Sequence, residues 1–219
     1  YIVKTIVTTE TIKTIAERNG VEMYDVYTGF KWIANVMREN EGKKNYIGGG
    51  EESYGFLCED FVRDKDAVSA CVILAEIAAW AKDQGLSLYQ LLQKIYVEYG
   101  FSKEKGISVV KKGKSGAEEI EAMMKKFREN PLTEIAGSKV TYFYDYSTLK
   151  GKDYAENETV TLDMPTTSNV LQYFTEDNTK VSIRPSGTEP KIKFYCEVHS
   201  KVKSIDELPE AEKAAEEKI

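Results

Sequence analysis

Arg184-Pro185-Ser186-Gly187-Thr188-Glu189-Pro190-Lys191 brings together what a phosphate dianion needs. Arg184 can offer a two-pronged guanidinium fork. Ser186 and Thr188 add hydroxyls, and Gly187 allows backbone N–H groups to form a concave anion nest. The two prolines stiffen the loop and lower the entropy lost on binding. A polar hairpin loop with an incidental arginine has the same residue types, so composition leaves both readings open. Gly48-Gly49-Gly50-Glu51-Glu52-Ser53-Tyr54-Gly55-Phe56 suits a different ligand group. Glycines let the backbone pack closely around a ligand, a carboxylate accepts from two neighbouring hydroxyls of a sugar diol, and Ser53 can donate and accept. Its alternative is a strand-to-loop transition with solvated acids.

Other motifs carry less. Gly113-Lys114-Ser115 follows a strand and precedes a helix, as a P-loop does, but the upstream glycine position holds Ser108. Asn157-Glu158-Thr159 is a formal glycosylation sequon without a secretory context. Arg63-Asp64-Lys65-Asp66 reads as N-terminal capping by aspartate, although a lysine is unfavourable at a helix start. His199, the only histidine, falls at a strand end and reads as a surface residue.

The elements that must hold these loops change character along the chain. Up to about residue 100, strand and helix patterns alternate. Ile2–Val7, Val21–Tyr27 and Asn45–Ile47 read as strands. Helices are expected around Ile12–Ala16, from Thr28 as a cap through Met37, from near Asp66, and from a Ser87/Gln90 capping box. The apolar stretch Ala67–Ala81 reads as a buried helix, and Leu91, Leu92, Ile95 and Tyr99 as the buried stripe of the next. Such alternation implies an α/β unit with a mainly parallel sheet. Beyond Gly100 comes strand Ile107–Val110. A helix follows, opened by Ser115 and Glu118 and striped with Ile120, Met123, Met124 and Phe127. The rest is mostly strands: Val140–Asp145, Thr159–Leu162, Val170–Phe174, Val181–Arg184 and Lys191–Val198. In the last, Ile192, Phe194, Cys196 and Val198 alternate with Lys191, Lys193, Tyr195 and Glu197, the pattern of a sheet with one wet face. Asp206–Ile219 has helical composition and little apolar face. The expected organisation is an α/β domain over 1–99 and an α+β domain with an antiparallel sheet over 100–219.

The 219 residues are 42% hydrophobic and 30% charged with a net charge of −6, an ordinary globular composition. No basic excess favours nucleic acid or anionic membrane. Cys58, Cys71 and Cys196 are odd in number and scattered, which fits a reducing, cytoplasmic setting better than a disulfide scaffold. With one histidine, a His-rich metal site or a Ser-His-Asp triad is improbable.

Gly50-Glu51-Glu52-Ser53-Tyr54-Gly55 resembles the sugar-binding loop of the α-D-phosphohexomutases, the phosphoglucomutase/phosphomannomutase superfamily. Arg184-Pro185-Ser186-Gly187-Thr188-Glu189-Pro190 resembles its phosphate-binding loop. Val3–Thr9, Thr28–Lys31, Arg63–Asp66 and Ile95–Gly100 look like the branch acting on glucose and pentose phosphates. The resemblance covers the chain but only the third and fourth of the family's four domains.

It implies a phosphoryl relay that interconverts glucose 1-phosphate and glucose 6-phosphate. A phosphoserine in the first domain serves as donor, glucose 1,6-bisphosphate is the intermediate, and Mg2+ sits on an aspartate-rich loop of the second domain. By that resemblance Glu51, Ser53, Thr28 and Lys65 contact the sugar, and Arg184, Ser186, Gly187, Thr188 and Lys4 the phosphate. No catalytic residue and no metal ligand is expected in this chain. Neither a Thr-Ala-Ser-His-Asn-Pro loop nor an Asp-Gly-Asp-x-Asp-Arg loop occurs in it. The expected partners are a hexose or pentose phosphate and N-terminal domains of the same polypeptide, and the start in a strand pattern at Tyr1 looks like a cut. Many relatives have Gly-Glu-x-Ser-Gly-His, whereas Tyr54-Gly55-Phe56 follows the serine here, so no proton-transfer role is placed there. A free-standing sugar-phosphate-binding module, a phosphopentomutase and a phosphomannomutase are the alternative readings.

Overall fold

The computed structural model describes every residue except Lys112 and Thr188, and Lys114 in its backbone only. The chain divides into two compact units, 1–101 with 201–208 and 102–200 with 209–219.

The first unit opens with β1 (Ile2–Thr5), α1 (Thr11–Arg18), β2 (Met23–Val26), α2 (Phe30–Asn40), β3 (Gly48–Gly50) and β4 (Phe56–Cys58). It continues with α3 (Ala67–Asp83) and α4 (Leu88–Tyr99). The sheet order is β2-β1-β3-β4, parallel across β2-β1-β3 and antiparallel between β3 and β4. Short β–α–β connections dictate the parallel part. Val3, Val26, Phe30, Ile33, Val36, Met37, Tyr46 and Leu57 form its core. The Ser87/Gln90 capping box forms as read, with reciprocal hydrogen bonds of 2.8 and 3.2 Å.

Four expectations fail here. The third strand lies on Gly48–Gly50, not on Asn45–Ile47. Its glycines pair with Ile2–Lys4, while Tyr46 is buried and reaches over them to the Leu57 carbonyl. A Cβ on Gly49 would sit 2.6 Å from the Val3 carbonyl oxygen and 2.7 Å from the Tyr46 hydroxyl. Gly49→Ala is therefore expected to destabilise the protein by about 2 kcal/mol through overpacking, read as a lower urea midpoint at unchanged slope. Second, Thr28 does not cap α2. Gly29 holds the N-cap position, with φ 111°. Third, α3 is not buried. It rests on β4 and α4, and the three-residue β4 is too short to cover seventeen helical residues. Val68, Val72, Leu74, Ile77 and Trp80 stay exposed and only Ala81 is buried. Fourth, in α4 no residue is fully buried and Leu92 is exposed.

The second unit comprises most of β5 (Phe101–Val110), then α5 (Gly113–Glu129), β6 (Glu134–Ile135), β7 (Ser138–Asp145), β8 (Lys150–Asp153) and β9 (Glu158–Thr161). After these come β10 (Leu171–Thr175), β11 (Lys180–Pro185), β12 (Lys191–Ser200) and, past a 3-10 turn at Ile205–Glu207, α6 (Leu208–Lys218). The sheet runs β5-β12-β11-β10-β7-β8-β9, with β6 beside β7, and the pairs from β6 through β12 are antiparallel. The α5 stripe of Ile120 and Met124 packs on Val140, Leu171, Tyr173, Ile183 and Ile192. Ser115 lies inside α5, which begins at Gly113, so it is no cap. The expected wet face of β12 is also corrected, because Glu197 and its neighbour Lys180 are almost fully buried.

Candidate functional site

Glu51–Gly55 is the loop of the β3–β4 hairpin, closed by the Glu51 N–H donating to the Gly55 carbonyl at 2.8 Å. The Gly29 N–H donates to Glu51 Oε1 at 2.7 Å, so the segment beginning at Thr28 is tied to the carboxylate. Gly55 is the close-approach point: a Cβ there would lie 2.9 Å from Glu51 Oε2 and 3.2 Å from Lys65 Cδ. Glu51 and Lys65 thus flank the same backbone. Lys65 places its ammonium 5.9 Å from the centre of the Phe30 ring and 3.1 Å from Asp64 Oδ1. Glu52 accepts from the Thr5 hydroxyl at 3.2 Å, and Ser53 is exposed at the tip. The structure therefore groups Thr28, Glu51, Ser53 and Lys65 around one hairpin. The arrangement can accept hydrogen bonds from hydroxyls at Glu51 and places the Lys65 cation at the same hairpin.

Lys4 is not part of it. Its ammonium is buried and lies 2.7 Å from Asp25 and 3.0 Å from Glu10. In this structure the Lys4 ammonium is thus already paired with two carboxylates.

In the second unit the alternation along β11 turns Val181 and Ile183 into the core and Lys180, Ser182 and Arg184 to the other face. Antiparallel register sets Lys193 directly opposite Arg184. Two like charges at one cross-strand pair are unfavourable by themselves. Among the described residues the Arg184 side chain makes no ion pair or hydrogen bond, and Lys193 lies over the Tyr195 ring at 5.8 Å. The pair is thus a concentration of positive charge at the mouth of the loop. Lys193 was not singled out from sequence, where its alternation assigned it only to a wet face.

The loop itself is a tight closure. The Ser186 N–H donates to the Lys191 carbonyl at 2.7 Å, and the Lys111 N–H to the Pro190 carbonyl at 2.8 Å. The Ser186 amide is therefore committed to the hairpin and cannot join an anion nest. Lys191 pairs with Glu189 at 2.6 Å, which holds the Glu189 carboxyl below its usual range. Thr188 lies outside the described residues. On the α5 side of the loop, Ser186, Gly187 and Pro185 line a cavity of about 990 Å³ floored by Ile120 and Met124. Arg128 borders it, held by Asp145 and Asn169. Arg184 does not line this cavity, so the arginine and the serine of the loop address opposite sides of it.

Among the described residues no group of three or more His, Cys, Asp or Glu side chains could hold a metal ion. Nor, among them, is any helix long and apolar enough to cross a membrane.

Comparison with known proteins gives the family. Residues 1–99 match the family model described as phosphoglucomutase/phosphomannomutase, alpha/beta/alpha domain III. Residues 108–215 match phosphoglucomutase/phosphomannomutase, C-terminal domain. A phosphoglucomutase of Staphylococcus aureus is 40% identical over 194 residues, 89% of this chain and 35% of the relative. One from Staphylococcus haemolyticus is 36% identical over 198 residues, 90% of this chain and 36% of the relative. The chain thus spans little more than a third of these relatives' length. The crystal structure of the Paramecium phosphoprotein pp63/parafusin, a phosphoglucomutase in its open form, shares the fold with a TM-score of 0.61 at 18% identity. That match covers 93% of this chain and 33% of that one. A phosphoglucomutase/phosphomannomutase family protein from Burkholderia thailandensis gives 0.55 at 18% identity over 98% of this chain and 37% of that one. With both units matched by consecutive domain models, the chain belongs to the phosphoglucomutase/phosphomannomutase family, the α-D-phosphohexomutases, and corresponds to its domain III and C-terminal domain.

Proposed function

We propose that this chain supplies the sugar-recognising and phosphate-recognising parts of a phosphoglucomutase that interconverts glucose 1-phosphate and glucose 6-phosphate. The single observation that carries the reading is the cross-strand Arg184–Lys193 pair. Two adjacent cations with no carboxylate on the arginine, among the described residues, suit a dianion that would neutralise both. The Glu51 carboxylate, held by Gly29 and backed by Gly55, serves as acceptor for vicinal sugar hydroxyls. Ser53 and Lys65 stand beside it. Clamps of this kind contribute positioning and charge stabilisation, the protein's main contributions to phosphoryl transfer. The phosphoryl donor and Mg2+ of the reaction are assigned to further domains of a longer polypeptide, since this sequence holds no phosphoserine or aspartate-rich loop. The chain alone is accordingly proposed to bind sugar phosphate without turnover.

Calorimetric titration of the 219-residue chain with glucose 1-phosphate, mannose 1-phosphate, ribose 1-phosphate and inorganic phosphate tests this. Glucose 1-phosphate is expected to bind at least severalfold more tightly than inorganic phosphate. Glu51→Gln is expected to remove that advantage, about tenfold, because a charged acceptor of hydroxyl hydrogen bonds contributes about 1.5 kcal/mol or more. Equal binding of all four ligands to the parent and to Glu51→Gln would overturn the sugar assignment. Preference for the mannose or ribose ester would move it to another branch of the family.

A further inference from the structure

We propose that Tyr54 is a substrate-contact residue whose ring stacks on the nonpolar C–H face of the sugar held at Glu51. The proposal rests on the reading of the Glu51 hairpin as a sugar site and adds the class of contact that would complete it. Four of the loop's five residues have an evident place. Glu51 is tied to Gly29, Glu52 to Thr5, Gly55 closes the turn, and Ser53 offers a hydroxyl at the tip. Tyr54 has none within the fold. It is fully solvent-exposed, the only large apolar side chain among the described residues that is so, and its φ of 68° lies in the left-handed region that favours glycine. The residue is therefore poor on both folding counts. Its ring gains nothing from burial, and its backbone conformation disfavours a bulky side chain.

A bound sugar makes both features useful. A carboxylate grips a pyranose by its edge hydroxyls and leaves the ring's faces uncovered. An aromatic ring one position beyond Ser53 offers a flat, partly negative surface to the C–H groups of such a face. The electrostatics are those that make aromatic edges meet aromatic faces. Tyrosine adds this area while freezing few side-chain torsions. The hairpin is pinned at both ends, so the ring is presented on a rigid mount, which lowers the ordering cost of binding.

Tyr54→Gly separates this role from a structural one, because glycine relieves the φ strain. The variant is expected to keep or raise the thermal midpoint, weaken glucose 1-phosphate about fivefold in calorimetry, and leave inorganic phosphate unchanged. Tyr54→Phe, which keeps the ring, is expected to stay within about twofold of the parent. If Tyr54→Gly binds glucose 1-phosphate like the parent while Glu51→Gln loses it, the stacking role is wrong and the sugar site stands. If neither substitution changes glucose 1-phosphate binding, the sugar-site reading fails and the stacking role goes with it.

Discussion

Arg184→Ala is expected to weaken binding of glucose 1-phosphate and of inorganic phosphate alike by about 30-fold or more. A hydrogen bond to a charged partner contributes about 1.5–3 kcal/mol, and a guanidinium offers two to one phosphate. At roughly 1.4 kcal/mol per tenfold, losing even one and a half such bonds passes 30-fold. The fold is expected to move the other way. Arg184 and Lys193 oppose each other across β11 and β12, and a like-charged cross-strand pair costs a few tenths to about 1 kcal/mol. Removing one partner should therefore leave the urea midpoint unchanged or slightly raised. Arg184→Lys keeps the charge but not the planar fork and should recover part of the affinity. Lys193→Ala should lower affinity less, and both losses should shrink as salt is raised, since exposed charge is screened within about 10 Å at 0.1 M. Titration of the parent and the three variants with inorganic phosphate, each with a matched unfolding curve, checks the set. Undiminished phosphate binding by Arg184→Ala would remove the phosphate clamp from this loop.

Much of this arrangement was legible in the sequence because it depends on local chemistry. The glycines around Glu51 read from sequence as room for a ligand, and in the structure the close approaches are within the chain, at Gly49 against Val3 and at Gly55 against Glu51 and Lys65. What escaped depends on partners distant in sequence. Lys4 reads as an available cation until Glu10 and Asp25 close on it. Lys193 becomes interesting only when the Ser186–Lys191 hydrogen bond fixes the hairpin register, which brings it opposite Arg184. Propensity misplaced β3, since three glycines are poor strand formers. They form a strand because β1 and β4 pair with them on either side, and at Gly49 the Val3 carbonyl and the Tyr46 hydroxyl leave no room for a side chain. Period alone misjudged α3, because an all-round apolar helix is expected inside, yet it rests chiefly on the short β4 and on α4, and most of its apolar side chains stay exposed.

Glu197→Ala is expected to destabilise the protein by about 3–5 kcal/mol, the cost of leaving a buried charge without its partner. Glu197 Oε2 lies 2.8 Å from the Lys180 ammonium, with the two side chains 3% and 1% exposed. Its other oxygen lies 2.7 Å from His199 Nε2 and 3.4 Å from the Ser102 hydroxyl. Burial pushes the Glu197 carboxyl up, but the hydrogen bond from His199 and the Lys180 charge outweigh it and hold the group well below the usual carboxylate range. A depressed carboxyl adds stability that is complete above the unfolded-state value, about 4.3, and is lost as pH falls below it. Glu197→Gln cannot ionise, so the gap between parent and variant should be full at pH 6 and narrow toward pH 3. Lys180→Met should cost several kcal/mol less when combined with Glu197→Leu than the two single losses predict, because the pair then leaves together and apolar side chains fill the space. Urea unfolding of the four proteins of this cycle, repeated for the parent and Glu197→Gln between pH 3 and 6, measures both effects. Strict additivity, or a parent-to-Gln gap that ignores pH, would mean that Lys180 and Glu197 are neighbours without being an energetic pair.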